Sequence, residues 1–215
     1  NEENDFTNYP KTFEADLDIL EKTNCEIIFT PSVKEMYPRG ANPEKTVLKY
    51  RDILCDLSRP GHFDGVTTIV KILLDLIKPS RVFFGEKDYQ QLKIIEQLIL
   101  QNSLNIDLIK CPSVRDLNGM SLSSRYINFS QNQQLQFEEC AKIINTQFKI
   151  LKKIFNQETV QSIEYELKNF GISKIDYCEV RNEENLSLSK INERSRLFIA
   201  FYLSEIRVID NFILY

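Results

Sequence analysis

Gly85-Glu86-Lys87-Asp88 is the stretch of this sequence whose residue types best suit a phosphate. It follows Arg81-Val82-Phe83-Phe84, an apolar run that reads as a short buried strand after the helix-stopping pair Pro79-Ser80. A helical pattern opens at Tyr89. Glycine lets the backbone come close, the helix N-terminus offers free N–H groups, Lys87 supplies positive charge, and Asp88 can hold a metal ion. The plainer reading is a strand-to-helix turn with Asp88 as N-cap and Lys87 in solvent, and local chemistry alone favours it. A second group is Ser121-Leu122-Ser123-Ser124-Arg125. It reads either as a solvated loop or as an anion clamp, in which Arg125 makes charge-assisted bonds and the serine hydroxyls make more. The single histidine, His62, lies in the turn Ser58-Arg59-Pro60-Gly61-His62-Phe63 and reads locally as structural.

These groups have to be positioned by alternating elements. The pattern predicts a helix over roughly 11–22, introduced by Pro10, with Phe13, Leu17 and Leu20 on one face. A strand follows at Cys25–Phe29, then a short helix capped by Thr30 with Pro31 at its first position. Thr46–Tyr50 reads as a strand, and Arg51–Leu57 stays open between a helical turn and a loop. Asp64–Lys78 is a helix whose Val66, Ile69, Val70, Leu73, Leu74 and Ile77 form a core stripe. The helix from Tyr89 to about Gln101 buries Leu92, Ile95, Leu98 and Ile99, and Asn105–Ile109 is the next strand. Such alternation implies a parallel sheet covered by helices, and in open sheets of this kind ligands sit at the carboxyl ends of the strands.

The pattern changes after Pro112. Val114-Arg115 is extended and Leu117-Asn118-Gly119 is a turn. Ser130 caps a long helix reaching about Asn156. A second helix, from about Glu158 to Phe170, stops at Gly171. Strands follow at Lys174–Val180, Arg196–Leu203, Ile206–Ile209 and Phe212–Tyr215. Helices followed by strands suggest a smaller α+β domain with an antiparallel sheet. The expected fold is thus α/β: a Rossmann-like domain over 1–112, then an α+β domain over 113–215.

The 215 residues suffice for one large domain or two small ones. A hydrophobic fraction of 42% and a charged fraction of 27% are those of an ordinary globular chain. The net charge of −4 argues against a general nucleic-acid surface, but not against a local anionic ligand. No run is apolar enough to cross a membrane, and no signal peptide opens the sequence. The five cysteines, Cys25, Cys55, Cys111, Cys140 and Cys178, are an odd number without a CxxC pair. They fit reduced cytosolic thiols better than disulfides or a zinc site.

Taken in order, YPKT at 9–12, FTPSVKEMYP at 29–38, RPGHFDGV at 59–66, FFGEKDYQQL at 83–92, DLNGMSLSSR at 116–125 and RVIDN at 207–211 resemble the pantothenate synthetase (pantoate–β-alanine ligase) family. The resemblance spans almost the whole sequence. It implies a cytoplasmic homodimer of the HIGH-type nucleotidylyltransferase superfamily that joins (R)-pantoate to β-alanine using ATP and Mg²⁺. Pantoyl adenylate would be the intermediate, with pyrophosphate and AMP as products. By matching positions, Gly85, Glu86, Lys87 and Asp88 would line the ATP site, with Lys87 on the phosphates and Asp88 close to the metal. Gln91, one helical turn beyond Lys87, would bind pantoate. Val114 would meet the adenine side of the nucleotide. Leu122, Ser123, Ser124 and Arg125 would form the KMSKS-like loop closing over the triphosphate, so that Lys87 and Arg125 carry the catalysis. Arg59 and His62 would lie near the cleft or at dimer contacts.

The resemblance also implies differences. Family members carry a segment ahead of the position of Asn1, with a strand, an HxGH signature and a pantoate-binding Gln. His62 belongs to another motif and does not replace those histidines. The expectation is a natural polypeptide longer than this sequence, or a missing part supplied otherwise; 215 residues alone would have little ligase activity. Tyr126 stands where Asn usually follows SSR, and Asn118 where Asp usually precedes the loop glycine. Two further readings stay open: a nucleotidyltransferase for another small substrate, and a catalytically impaired nucleotide-binding or dimerising fragment.

Overall fold

The structure, a computed structural model, describes residues 12–43, 46–189 and 193–214. Pro10, most of the YPKT motif and Tyr215 lie outside them. The described elements run α1 (Phe13–Leu20), α2 (Val33–Met36), α3 (Leu54–Ser58), α4 (His62–Ile77), β1 (Arg81–Gly85), α5 (Tyr89–Gln101), β2 (Asp107–Cys111), α6 (Gln131–Leu151), α7 (Gln157–Asn169), β3 (Ile175–Asn182), β4 (Ser195–Leu203) and β5 (Ile206–Ile213). Short 3₁₀ turns at Glu86–Asp88 and Ser124–Asn128 complete them. Among the described residues β1 and β2 form a parallel pair, with Arg81 opposite Asp107 and Gly85 opposite Cys111. β3, β4 and β5 form an antiparallel sheet with β4 in the centre. The fold is therefore α/β, with a helix-flanked parallel sheet followed by an antiparallel one.

Several elements depart from expectation, each for a physical reason. Cys25–Phe29 is exposed and pairs with no strand among the described residues; an apolar run becomes a strand only where a neighbour takes its N–H and C=O groups. α2 starts two residues later than Thr30-Pro31 suggested. Ser32 caps it, accepting from the Glu35 N–H while the Glu35 carboxylate accepts from the Ser32 N–H, a reciprocal pair stronger than a lone Thr cap. Thr46–Tyr50 is no strand. The chain there winds around the buried guanidinium of Arg51, which binds the Val47 carbonyl, Asp56 and Asp64. The segment left open, Arg51–Leu57, is helical only from Leu54, where α3 begins.

The expected core stripe of α4 is covered in part. Phe63, Thr67 and Leu74 are buried, while Ile77 is exposed. β1 is likewise only half covered, with Phe83 66% exposed, because the one strand beside it among the described residues is β2. β2 lies two residues later than Asn105–Ile109. α6 ends at Leu151 rather than near Asn156, because Asn156 caps α7, its side chain accepting from the Thr159 N–H at 2.7 Å. α7 stops where Gly171 takes φ +108° and Ile172 N–H returns to the Leu167 carbonyl. The two strands expected after 206 are one continuous β5.

Three clusters of buried side chains hold the layers. One face of β4, Leu197, Ile199, Phe201 and Leu203, packs with Ile144, Leu151, Ile163 and Leu167 of α6 and α7. Its other face carries Phe198 against Leu54, Tyr89 and Leu186. α5 supplies Ile94, Ile95, Leu98 and Ile99 to the core beneath the parallel pair. On that helix Glu96 pairs with Lys93 and with Lys110 of β2. Burial would raise the Glu96 pKa, but the two ammonium groups outweigh it and the net shift is downward. A lowered carboxylate contributes stability above its unfolded value, near about pH 4.3, and loses it as pH falls through the folded value. Glu96→Gln is therefore expected to lower Tm at neutral pH, by about 1 kcal/mol of stability for so partly exposed a group. In a pH series of melting curves that gap should close in acid; a gap that is constant with pH counts against the ion pairs.

Candidate functional site

The turn after β1 is held from below. The Glu86 and Lys87 carbonyls accept from the Asn211 side-chain amide at 2.8 and 2.9 Å. The Glu86 carboxylate meets Arg196 at 3.2 Å, and Arg196 also binds Glu183 and stacks over the Tyr89 ring. That packing fixes the first turn of α5, and burial pushes the Tyr89 phenol up to about 12. Gly85 is exposed at the end of β1, and no atom lies within 4 Å of the space that a side chain there would fill. Asp88 occupies the N-cap position of α5, but its side chain makes no capping bond. The plain N-cap reading is thereby removed, and Asp88 stands, exposed as a residue, at the mouth of the turn.

The serine loop reaches the same place. Arg115 and Ser121 form an antiparallel bridge around the Gly119 turn, and Leu122 N–H donates to the Val114 carbonyl at 2.9 Å. Met120 anchors the turn in the main core. From this base Leu122 offers its carbonyl to the Lys87 ammonium, Nζ to O 2.9 Å. Ser123 then caps a 3₁₀ turn, accepting from Arg125 N–H at 3.3 Å, so the segment expected to be an irregular loop is partly helical. Tyr126, on that turn, presents its ring 5.4 Å from Lys87 Nζ.

Electrostatics tie these parts together. Burial lowers the Lys87 pKa; Asp88 and Asp210 pull it up, while Arg125 and Arg115 push it down further. Crowding by the protein raises the Asp88 pKa, against Lys87, Arg125, Arg59 and Arg207, which lower it. The positive charges of Lys87 and Arg125, one from each segment, thus act on the Asp88 carboxylate, an arrangement suited to a polyanion with its counter-ion. Arg59 joins this field and lies 3.3 Å from His62 Nε2. Gln91 sits half-buried on the first turn of α5. Its neighbour Gln90 is fully engaged, binding Cys55 N–H and the Tyr50 and Ile53 carbonyls.

The structure thus brings together Lys87, Asp88, Leu122, Arg125 and, through its carbonyl, Val114, whose side chain stays exposed. Sequence reasoning missed Arg115, Tyr126, Arg196, Asp210 and Asn211 as parts of the site. A signal was present for the pair at 210–211, two adjacent polar residues flanked by apolar ones, Val208-Ile209 and Phe212-Ile213, within one strand.

Among known proteins, the family model for pantoate-beta-alanine ligase matches residues 1–213. The pantothenate synthetase of Caldicellulosiruptor bescii is 34% identical over 214 residues, 97% of this chain and 75% of the relative. The solved pantothenate synthetase of Thermus thermophilus superimposes with a TM-score of 0.87 at 29% identity, covering 98% of this chain and 78% of that one. The pantoate-beta-alanine ligase of Francisella tularensis, solved as a complex with beta-gamma ATP and beta-alanine, superimposes at 0.83 with 31% identity, covering 99% and 74%.

Proposed function

The chain belongs to the pantoate–β-alanine ligase family, whose members are ligases forming a C–N bond, and from that premise we propose that it condenses (R)-pantoate with β-alanine at the expense of ATP. The observation that carries the reading to particular residues is the meeting of the Lys87 turn with the Ser123–Arg125 segment through the Lys87–Leu122 bond. In the first step a pantoate carboxylate oxygen attacks the α-phosphorus; the bond to the pyrophosphate oxygen breaks and pantoyl adenylate forms. In the second the β-alanine nitrogen attacks the acyl carbon, the bond to AMP breaks, and the amine loses a proton. The protein's task is to neutralise phosphate charge and align the reactants.

Lys87 and Arg125 supply the neutralising charge. The exposed backbone at Gly85 and the hydroxyls of Ser123 and Ser124 supply further contacts to the triphosphate. Val114 and Leu122 flank the nucleotide, and Glu86 braces the turn through Arg196. Gln91 binds pantoate. Mg²⁺ fits this donor set: the Asp88 carboxylate is a hard oxygen ligand with no competing cap bond, and magnesium is commonly held by one or two carboxylates plus substrate phosphates. Bound there, it would offset phosphate charge. In this reading the parallel-sheet part, 1–112, holds the nucleotide and 113–215 carries the clamp, in a cytoplasmic homodimer. No helix among the described residues is long and apolar enough to cross a membrane.

The test is AMP release from ATP. It is expected only when pantoate and β-alanine are both present, with pyrophosphate released on adding pantoate alone. AMP release with other acids in place of pantoate points to a different small-substrate transferase. ATP binding without pyrophosphate release points to a non-catalytic module.

A further inference from the structure

The motif Arg207–Asn211 contributes two buried polar residues, Asp210 and Asn211, to which nothing above gives a task in the reaction. Register places them on opposite faces of β5. Asp210 lies opposite Ile199, on the face packed by α6 and α7; Asn211 lies opposite Phe198, on the face that meets Tyr89. Each face is used to hold one half of the candidate site. Asp210 accepts from Ser121 N–H at 2.8 Å, Ser121 Oγ at 2.6 Å, Arg115 at 3.0 Å and Asn211 N–H at 2.7 Å. Those bonds fix the base of the serine loop, and Arg115 adds a bond to the Asn211 carbonyl at 2.7 Å. Asn211 donates from its amide to the Glu86 and Lys87 carbonyls, and its amide oxygen accepts from Arg196 at 2.8 Å.

Adjacent residues on one rigid strand therefore grip the Lys87 turn and the Ser121 loop base from two sides. We propose that Asp210 and Asn211 are positioning residues for ATP: they set the gap between Lys87 and Arg125 so that both reach the same triphosphate. Neither touches substrate. Their effect passes through the backbone of the turn and of the loop, where a displacement of about 1 Å is enough to lose about 100-fold in rate. The inference rests on the assignment of Lys87 and Arg125 to the phosphates.

Asn211→Asp keeps the shape, removes both N–H donors and sets a carboxylate against two carbonyls. It is expected to lower kcat/KM for ATP by about 10- to 100-fold. KM for β-alanine should stay within about twofold, because β-alanine enters after the adenylate has formed. In a Lys87→Ala background the same substitution should cost less than about threefold, since the group it positions is gone. Ser121→Ala removes one bond to Asp210 and is the second arm, which also serves if Asn211→Asp does not fold. Its smaller loss, about 3- to 10-fold, should shrink in the same way in an Arg125→Ala background. Additive losses in both double variants, or equal losses for ATP and β-alanine, overturn the positioning role and leave the pair merely structural. Near-normal turnover in Lys87→Ala and Arg125→Ala themselves brings down the site assignment, and this inference with it.

Discussion

Lys87→Ala is expected to lower kcat/KM for ATP by about 10²- to 10³-fold, the usual loss when one preorganised charge or donor facing the reacting phosphate is removed. Three observations converge on this residue. Its ammonium is already drawn to the serine loop through the Leu122 carbonyl. Its own carbonyl is pinned by Asn211, so the side chain springs from a fixed base. The face of the Tyr126 ring lies 5.4 Å from its charge, which limits the water around it. Melting should barely change, because the side chain is only half-buried and its one hydrogen bond goes to an exposed loop. AMP release under saturating pantoate and β-alanine, alongside a melting curve, makes the check; a near-normal rate removes Lys87 from the phosphate role.

The same residue carries a pH signature. Burial disfavours the ammonium, so Lys87 loses its proton at a pH below the usual value of about 10.4. In the proposed role the protonated form is the one that holds phosphate, so kcat/KM for ATP should fall on the alkaline side below that value. For stability the sign is opposite: the folded state penalises the charged form below the lowered pKa, and the penalty lifts as pH rises through it. Lys87→Arg should lose the alkaline limb, since a guanidinium keeps its proton across that range, even if the rate itself falls. An unchanged alkaline limb in the arginine variant would place the titrating group elsewhere.

The Gly85–Asp88 turn was legible because its residue pattern is local. A strand, a glycine, a lysine and an acidic residue within a few positions leave little for tertiary structure to decide, and β1, the turn and α5 form where they were expected. The serine loop was half legible. Its hydroxyls and Arg125 can be read from the sequence, but the Leu122 carbonyl that meets Lys87 is a backbone group with no side-chain signature. Strand pairing was the weakest point. Cys25–Phe29 and Thr46–Tyr50 have strand-like composition, yet one finds no partner among the described residues and the other is bent around Arg51. The braces at Arg196, Asp210 and Asn211 join residues far apart in sequence, 110 positions in the case of Arg196 and Glu86. No local pattern specifies such a pairing.

Arg207 should give the largest loss of stability. It stands at the start of β5 and ties that strand to two other elements, β3 and α3. Its Nε donates to Asp176 of β3 at 2.7 Å, one terminal nitrogen to Ser58 Oγ of α3 at 3.1 Å, and the other faces Cys55 Sγ at 3.7 Å. Burial works against the guanidinium, but Tyr177, Cys55 and Asp176 overcome it, and its pKa is raised further. Its charge is therefore fixed at every accessible pH, and the pair acts as a permanent peg between the helical layer and the antiparallel sheet. Both side chains of the Arg207–Asp176 pair are nearly inaccessible. Arg207→Leu leaves the Asp176 carboxylate buried without its partner and is expected to cost about 3–5 kcal/mol, since stranding one member of a buried pair forfeits the compensation for its desolvation. Arg207→Leu combined with Asp176→Leu removes both charges and should recover much of that loss, because well-packed apolar residues often replace a buried pair at little cost. Urea unfolding of the two single variants and the double variant decides it. A double variant no more stable than Arg207→Leu would mean that the bonds to Ser58 and Cys55, rather than the ion pair, hold the layers together. In that case Ser58→Ala should reproduce part of the loss.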